Sequence, residues 1–381
     1  MLYRTLGQTG VDVSNLGFGC MRLPVIGHKP DQIDYPKATE LLHYAIDHGV
    51  NYIDTAYFYH GVTMGERGES EPFVGEALSS GWRERVNLAT KMPLWHLKTR
   101  EEMDVYLAEQ LERLQTDHLD FYLLHGLNGE TWDRVRDLGV REFLDGAQAK
   151  GLIGFPAFSF HGAAADFTRI CDDYDWAFGQ IQYNYMDTEF QAGCAELRHA
   201  ADKGMGVVVM EPLKGGKLAQ KLPPEMQSVF DARAEGWSPA EWALRYVWNE
   251  PGVSLLLSGM NSMEQVVENI RVAATATAES LSADQLAVYD HERTALSARV
   301  KADCSACRYC MPCASGVDIP GVLAALNNAA MWDDANPWLT GYTRVEGKAG
   351  LCSECGACAE VCPQGLPIPQ LMTEAAGLFH E

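Results

Sequence analysis

No stretch of this chain is apolar for long enough to span a bilayer, and its opening, MLYRTLGQTGVDVSNLGFG, lacks a basic start, an apolar core and a small-residue cleavage site. Both absences argue against a membrane or exported protein, so a cytoplasmic location is expected. Basic charge is also scarce, with 30 Lys and Arg against 52 Asp and Glu, a formal net charge of -22. Nucleic acid attracts basic surfaces through its phosphates and is not an expected partner; solubility alone accounts for the acidity. Missing too is a GxGxxG behind the first strand, the commonest sign of an open dinucleotide-binding sheet. Sulfur, by contrast, is plentiful: there are 11 cysteines among 381 residues. A reducing compartment keeps thiols free, so their clustering points to metal or redox chemistry rather than to disulfides.

Eight of the 11 cysteines fall in two runs. CSACRYCMPC places Cys304, Cys307, Cys310 and Cys313 two residues apart, and CSECGACAEVCP carries Cys352, Cys355, Cys358 and Cys362 with Pro363 next. Zinc ribbons use separated Cys-x2-Cys pairs rather than four cysteines in one tight loop, which leaves zinc as the lesser reading. Three thiolates at this spacing can wrap one cubane while a fourth points away to ligate the other, as in two-cluster ferredoxins. On that pattern Cys304, Cys307, Cys310 and Cys362 hold one 4Fe-4S cluster, and Cys313, Cys352, Cys355 and Cys358 hold the second. The first run departs from the ferredoxin spacing before its last cysteine and has Ala314 where Pro is usual, so ligation within each run stays open. Between the runs, DIPGVLAALNNAAMW is apolar at helical spacing, which predicts a small helical ferredoxin-like two-cluster domain over residues 296–381.

Residues 1–295 read differently. The apolar, often β-branched segments NLGFG, VNYID, VNLAT, DFYLL, GQIQYN, GVVVM and VSLLLSG alternate with amphipathic stretches such as EEMDVYLAEQLERL. An eighth strand around GFPAFS is weaker because Pro156 interrupts it, but it falls where a strand is needed. This alternation fits a parallel (β/α)8 TIM barrel better than a doubly wound sheet. Catalytic groups in such barrels sit at the carboxyl ends of strands. Those ends carry Asp54, Lys91 and His125, with Tyr59 just beyond Asp54. Each alone could be a turn cap, a solvated strand terminus, a hydrogen-bonded core histidine or one aromatic among several. Together they are an acid, a cation, an imidazole and a phenol at one mouth, the set needed to protonate a carbonyl oxygen during hydride delivery.

On these residues the chain resembles the aldo/keto reductase family. Asp54 and Tyr59 in DTAYFY, Lys91 in ATKMP and His125 in YLLHGLN fall where that family keeps its catalytic tetrad; GESEPFVGEAL, PLKGG and EQVVENI extend the likeness. LGFGCMRLP suits the branch with a C-terminal dicluster ferredoxin-like domain. The resemblance implies an NAD(P)H-dependent reduction of a small carbonyl compound (aldehyde, ketone or sugar-like), with Tyr59 as proton donor. Lys91, held by Asp54, is expected to lower the phenol's pKa, and His125 to orient the carbonyl and share its developing charge. It also implies nucleotide contacts from Gly19, Cys20, Met21, Ser159, Gln180, Met210, Pro212, Leu213, Ser258, Gly259, Gln265, Glu268 and Asn269. This chain departs from the family in having Phe160 and His161 where an Asn is usual, and Met210 in place of the aromatic ring that stacks on the nicotinamide. Gly259 and Gln265 replace the basic residues that grip a 2′-phosphate, so NAD and NADP are both open, with Lys214 and Lys217 near the diphosphate path.

LSADQLAVYDHERTALSARV follows the last barrel helix with its own helical period and Ser282 as N-cap. Its roughly 19 residues rise about 28 Å, which is expected to return the chain to the catalytic face and set the first cluster beside the mouth. Nicotinamides move electron pairs, each cluster moves one electron, and nothing announces a flavin to split the pair. Three readings follow. The barrel reduces a carbonyl with nicotinamide while the clusters are structural or sense redox state; or an electron-transfer partner, ferredoxin or flavoprotein, feeds the substrate through the clusters; or the barrel is dormant and the chain is an electron-transfer or docking subunit. Trp95, His96, Tyr57 and Phe58 could form an aromatic wall for rings or sugars, or simply a packed rim. Cys171 and Cys194 read as small buried hydrophobes, and Cys20 as a pocket-lining thiol.

Overall fold

The computed structural model describes residues 1–63, 66–220 and 222–380. They form two compact units, one of Met1–Leu218 with Trp237–Leu281, the other of Ala219–Gly236 with Ser282–Glu381. Among the described residues no helix is long and apolar enough to cross a membrane.

The first unit opens with a hairpin, β1 (Tyr3–Thr5) and β2 (Asp12–Ser14). Eight parallel strands then close a barrel: β3 (Leu16–Gly19), β4 (Tyr52–Asp54), β5 (Asn87–Met92), β6 (Leu119–Leu127), β7 (Ile153–Phe160), β8 (Phe178–Gln182), β9 (Gly206–Met210) and β10 (Leu255–Ser258). They follow chain order, with β10 returning to pair with β3. The helices between them are α1 (Tyr35–Asp47), α2 (Ser70–Ala77), α3 (Glu101–Arg113), α4 (Gly129–Asp137), α5 (Val140–Ala149), α6 (Ala164–Asp173) and α7 (Gly193–Asp202). Outside this unit α8 (Pro224–Asp231) follows in sequence, and α9 (Pro239–Asn249) and α10 (Met263–Ala273) complete the barrel.

The strand predicted around GFPAFS is present as β7 and runs for 8 residues. Pro156 is tolerated because its carbonyl accepts from Ala177 just ahead of β8. The missing N–H faces the side where β8 has not yet begun, so no ladder bond is lost.

The alternation of strand side chains explains where the chemistry sits. Tyr52, Ala89, Phe121, Leu123, Ala157, Phe178, Val208 and Leu255 point inward and fill the barrel together with Leu6 and Val13 from the hairpin region. Their outward neighbours, such as Ile53, Leu88, Tyr122, Phe158 and Val207, pack in the core shared with the helices. Two residues further along each inward row come Asp54, Lys91, His125, Ser159, Gln180 and Met210. The inner core closes one end with apolar atoms, and the polar row lies at the strands' carboxyl ends.

In the second unit α11 (Ala283–Ser297) starts on a capping box formed by Ser282 and Gln285. α12 (Ile319–Trp332), capped by Asp318, packs against α15 (Ile368–Leu378), with the short α13 (Pro337–Thr340) and α14 (Ala357–Glu360) between them. Val322, Leu323, Leu326, Met372 and Ala375 form its core, and Tyr342 stacks on Phe379 with centroids 3.9 Å apart. Asn327 on α12 bonds the backbone N–H of Lys301 and Ala302 and the carbonyl of Ala302, fixing the chain just ahead of Cys304.

One residue of α11 costs stability. Glu292 is fully buried with neither carboxylate oxygen hydrogen-bonded, and burial, helped by the charge of Glu225, pushes its carboxyl up to about 8. The unfolded chain ionises near pH 4.5 while the folded one stays protonated, so stability falls as pH rises from there to about 8. Glu292→Gln is expected to remove that slope and raise the melting temperature at pH 8, measured by thermal denaturation at several pH values.

Candidate active site

Lys91 is the hub of the polar row. Its Nζ donates to Asp54 Oδ1 at 2.6 Å, to the Thr55 carbonyl at 2.8 Å and to the Tyr59 hydroxyl at 3.3 Å, using all three ammonium protons. Burial works to strip Lys91 of its proton, but Asp54 and Tyr59 outweigh it and hold the ammonium above the ordinary lysine value. Tyr59 answers differently from the expectation that its pKa falls. Burial pushes the phenol above its ordinary value and Lys91 pulls it only part of the way back, with Asp54 opposing. The reason is that desolvating a phenolate in a site 8% exposed costs more than one ammonium, itself shared with Asp54, returns. Tyr59 therefore carries its proton throughout the neutral range. His125 is neutral there as well, because burial, with the charges of Lys91 and His161 adding, holds its imidazole well below the usual histidine value.

Aromatic rings wall this centre. Phe58 stacks on His125 with centroids 4.7 Å apart, Trp95 lies 5.5 Å from His125 and 5.1 Å from Phe58, and Tyr59 meets His125 edge-on at 6.0 Å. Of the rings named from sequence, Phe58 and Trp95 face the centre. Tyr57 turns away onto Tyr106, its hydroxyl 3.4 Å from Glu109, and burial plus that carboxylate push the phenol up to about 12. Cys20, wholly buried just past β3, has its thiol pushed far up by burial and stays unreactive. Cys171 is buried on α6, and Cys194 is partly buried on α7 near Glu250.

A second buried network, not foreseen from sequence, holds the backbones of Lys91 and Tyr59. Glu71 accepts from Thr90 at 2.7 Å, Gln110 at 2.6 Å and Arg113 at 2.9 Å. Gln110 also donates to the Lys91 carbonyl at 3.1 Å, while Arg113 bonds the carbonyl of Gly68. Gly68 lies so close to Tyr59 that a Cβ there would sit 2.1 Å from the Tyr59 carbonyl oxygen. A legible sign existed: on α3, Met103, Leu107 and Gln110 occupy one buried face, so a polar residue belonged to an apolar stripe. His60 anchors the other side of the loop. Its Nε2 accepts from the Leu23 N–H at 3.1 Å, so Nδ1 bears the proton given to the Pro30 carbonyl at 2.7 Å.

The nucleotide residues expected from sequence spread along the same rim. Ser159 and Gln180 pair across β7 and β8 and are both buried. The Ser159 hydroxyl accepts from the Gly126 N–H at 2.8 Å; Gln180 points its amide nitrogen at Met210 Sδ, 3.6 Å away, and leaves its buried carbonyl oxygen without a donor. Phe160 cannot stand in for the missing Asn, since its ring faces outward against Phe167 on α6, 5.1 Å away. Gly19, Cys20 and Met21 run from β3 into the turn Cys20–Arg22, and Pro212 and Leu213 follow β9. Beyond β10, Asn269 donates to Ser258 at 3.0 Å, Glu268 accepts from Ser238 at 2.6 Å and Gln265 caps the Asn261 N–H at 2.9 Å. Lys214 is locked on Asp187, 2.6 Å from each oxygen.

In the second unit Cys304, Cys307, Cys310 and Cys362 line one cavity, and Cys313, Cys352, Cys355 and Cys358 line another that Cys310 also borders. All eight thiols are free. Among the described residues no three His, Cys, Asp or Glu side chains gather tightly enough to hold a single metal ion. Thiols spread around a cavity suit a cluster, whose irons each take one thiolate, better than a zinc with every sulfur about 2.3 Å from one centre.

Residues 15–287 match the model of the aldo/keto reductase family. The chain belongs to that family. Residues 303–367 match the 4Fe-4S dicluster domain, so this aldo/keto reductase is an oxidoreductase whose chain continues from the barrel into an iron–sulfur module. It is 28% identical over 306 residues to L-galactose dehydrogenase of Arabidopsis thaliana, spanning 74% of this chain and 90% of that one. It is 27% identical over 280 residues to 6-dehydroglucose reductase of Novosphingobium aromaticivorans, spanning 70% and 88%. The solved aldo-keto reductase AKR11C1 from Bacillus halodurans in its holo form superposes with a TM-score of 0.62 at 26% identity, covering 76% of this chain and 96% of that one.

Proposed function

We propose that this aldo/keto reductase reduces an aldehyde, ketone or sugar-like carbonyl at the expense of NAD(P)H, with Tyr59 as the proton donor. The observation that carries the reading is the buried hydrogen-bonded line from Asp54 through Lys91 to Tyr59, set beside a neutral His125. Tyr59 and His125 together receive the carbonyl oxygen, Tyr59 giving its proton as negative charge builds there and His125 sharing that charge by hydrogen bond. Lys91 stabilises the phenolate left behind, and Asp54 keeps Lys91 charged and in place. The nicotinamide supplies the hydride. Gln180 offers its carboxamide a buried acceptor that otherwise lacks a donor, Ser159 lies alongside, and Met210 presents a soft face to the ring. Phe58 and Trp95 suit the apolar face of a sugar ring, in keeping with the sugar-named relatives.

The fourfold thiol sets fit two 4Fe-4S clusters, held by Cys304, Cys307, Cys310 and Cys362 and by Cys313, Cys352, Cys355 and Cys358. Such clusters carry single electrons. A second reading, in which a reduced ferredoxin or flavoprotein feeds electrons through them, follows from that one-electron chemistry. An anaerobic assay with NADH, NADPH or reduced ferredoxin against aldoses, ketoses and simple aldehydes separates the readings. Turnover with nicotinamide alone is expected; turnover with ferredoxin alone overturns the first reading.

With Gly259 and Gln265 in place of basic residues, NADH is expected to bind within about tenfold of NADPH, a difference under about 1.4 kcal/mol. Calorimetry with each nucleotide checks it, and a hundredfold preference for NADPH contradicts it.

A further inference from the structure

Arg22 ends the short turn after β3, and its side chain crosses the end of the neighbouring strand β10. Its stem lies over Gly259 at the end of β10: a Cβ there would sit 3.2, 3.3 and 3.4 Å from Cβ, Cγ and Cδ of Arg22. A side chain at position 259 would have to share this space with the Arg22 stem. The guanidinium reaches the loop after β9, with Nη2 3.2 Å from where a Gly215 Cβ would stand and 3.9 Å from Glu211 Oε1. Gly215 has φ 67°, so the turn there both requires glycine and leaves the head group room.

Lys214 and Arg22, both beside this loop, are held very differently. Lys214 is committed to Asp187, which Gln182 and Asn184 also hold at 2.8 and 2.9 Å, so moving Lys214 would strand a nearly buried carboxylate. Arg22 is about half exposed, and its one ion pair is longer than a hydrogen bond. It is a cation placed over the rim with little holding it where it is.

We infer that Arg22 binds the diphosphate of the nicotinamide nucleotide, its guanidinium exchanging Glu211 for phosphate oxygens. The inference rests on the nucleotide reading proposed above. A planar guanidinium can meet two phosphate oxygens in a bidentate plane, and Lys214 is already engaged with both oxygens of Asp187. Because NADH and NADPH share the diphosphate, the contact strengthens both without choosing between them. Glu211 competes for the same guanidinium and restrains binding of either.

Fluorescence or calorimetric titration of the intact protein with NADH, NADPH and ADP-ribose tests this without turnover. Arg22→Gln is expected to weaken all three by about tenfold, the low end for a charge-assisted bond because the site is half exposed. Glu211→Gln is expected to tighten all three severalfold, a gain that simple damage to the loop would not produce. Unchanged affinities in both variants, with wild type binding normally, overturn the inference. Loss of NADPH affinity alone moves Arg22 to the 2′-phosphate and overturns the diphosphate contact. If wild type binds none of the three, the nucleotide reading itself falls, and this one with it.

Discussion

Tyr59→Phe is expected to lower carbonyl reduction by about two orders of magnitude or more, within the range assigned to a positioned acid, while NADH affinity stays near wild type. Phenylalanine keeps the ring edge-on to His125 and beside Phe58, so packing is preserved. Lys91 loses one acceptor and keeps Asp54 and the Thr55 carbonyl. No neighbouring phenol replaces the donor, since Tyr57 is bound to Glu109 and faces α3. The pH dependence carries a sign that checks the same assignment. Reduction needs the protonated phenol, and burial raises the pKa of Tyr59, so wild-type turnover should hold through neutral pH and fall only on the strongly alkaline side. His125 is neutral across the same range, so no acid limb is expected near pH 6.5. Steady-state kinetics over pH on both proteins decides it. Retained turnover in Tyr59→Phe makes a water molecule the donor.

The barrel and its polar row were legible because they depend on local period. Asp54, Lys91 and His125 each lie among the last residues of a strand whose alternate residues are inward-facing, so knowing the strand fixes the side. Even β7 could be placed by its position between helical patterns, despite Pro156. What stayed hidden was balance and reach. The phenol of Tyr59 was expected below its ordinary value from its charged neighbour, but a pKa depends on how much water burial removes, and sequence does not give that depth. Glu71, Gln110 and Arg113 come from α2 and α3 and meet only when both helices pack on the barrel. Arg22 and Gly259 are more than two hundred positions apart in the chain, and the contact of the Arg22 stem with that glycine exists only in three dimensions. The resemblance to the family implies that position 259 lacks a cation but does not say which side chain lies over it.

Cys362→Ala is expected to halve the iron of the purified protein, from about eight to about four atoms per chain, by the stoichiometry of two four-iron clusters. The count alone does not say which cluster is lost, but pairs of variants do. Cys362 and Cys304 border the same cavity although 58 residues separate them, whereas Cys313 shares a run with Cys304 and borders the other. If the cavities correspond to clusters, Cys304→Ala with Cys362→Ala removes no more iron than either change alone, because both strike one cluster. Cys304→Ala with Cys313→Ala, both in one run, strikes two and should leave little iron. Ligation within each run predicts the reverse pattern: additive loss for Cys304 with Cys362, and none beyond the single variant for Cys304 with Cys313. Non-additivity is the informative quantity, since partners in one site fail together while independent sites fail separately. Loss of a cluster also loosens the helices built around it, because metal binding and folding are coupled. Iron and sulfide must therefore be assayed together on protein purified without oxygen, and zinc without sulfide would remove the clusters from the account altogether.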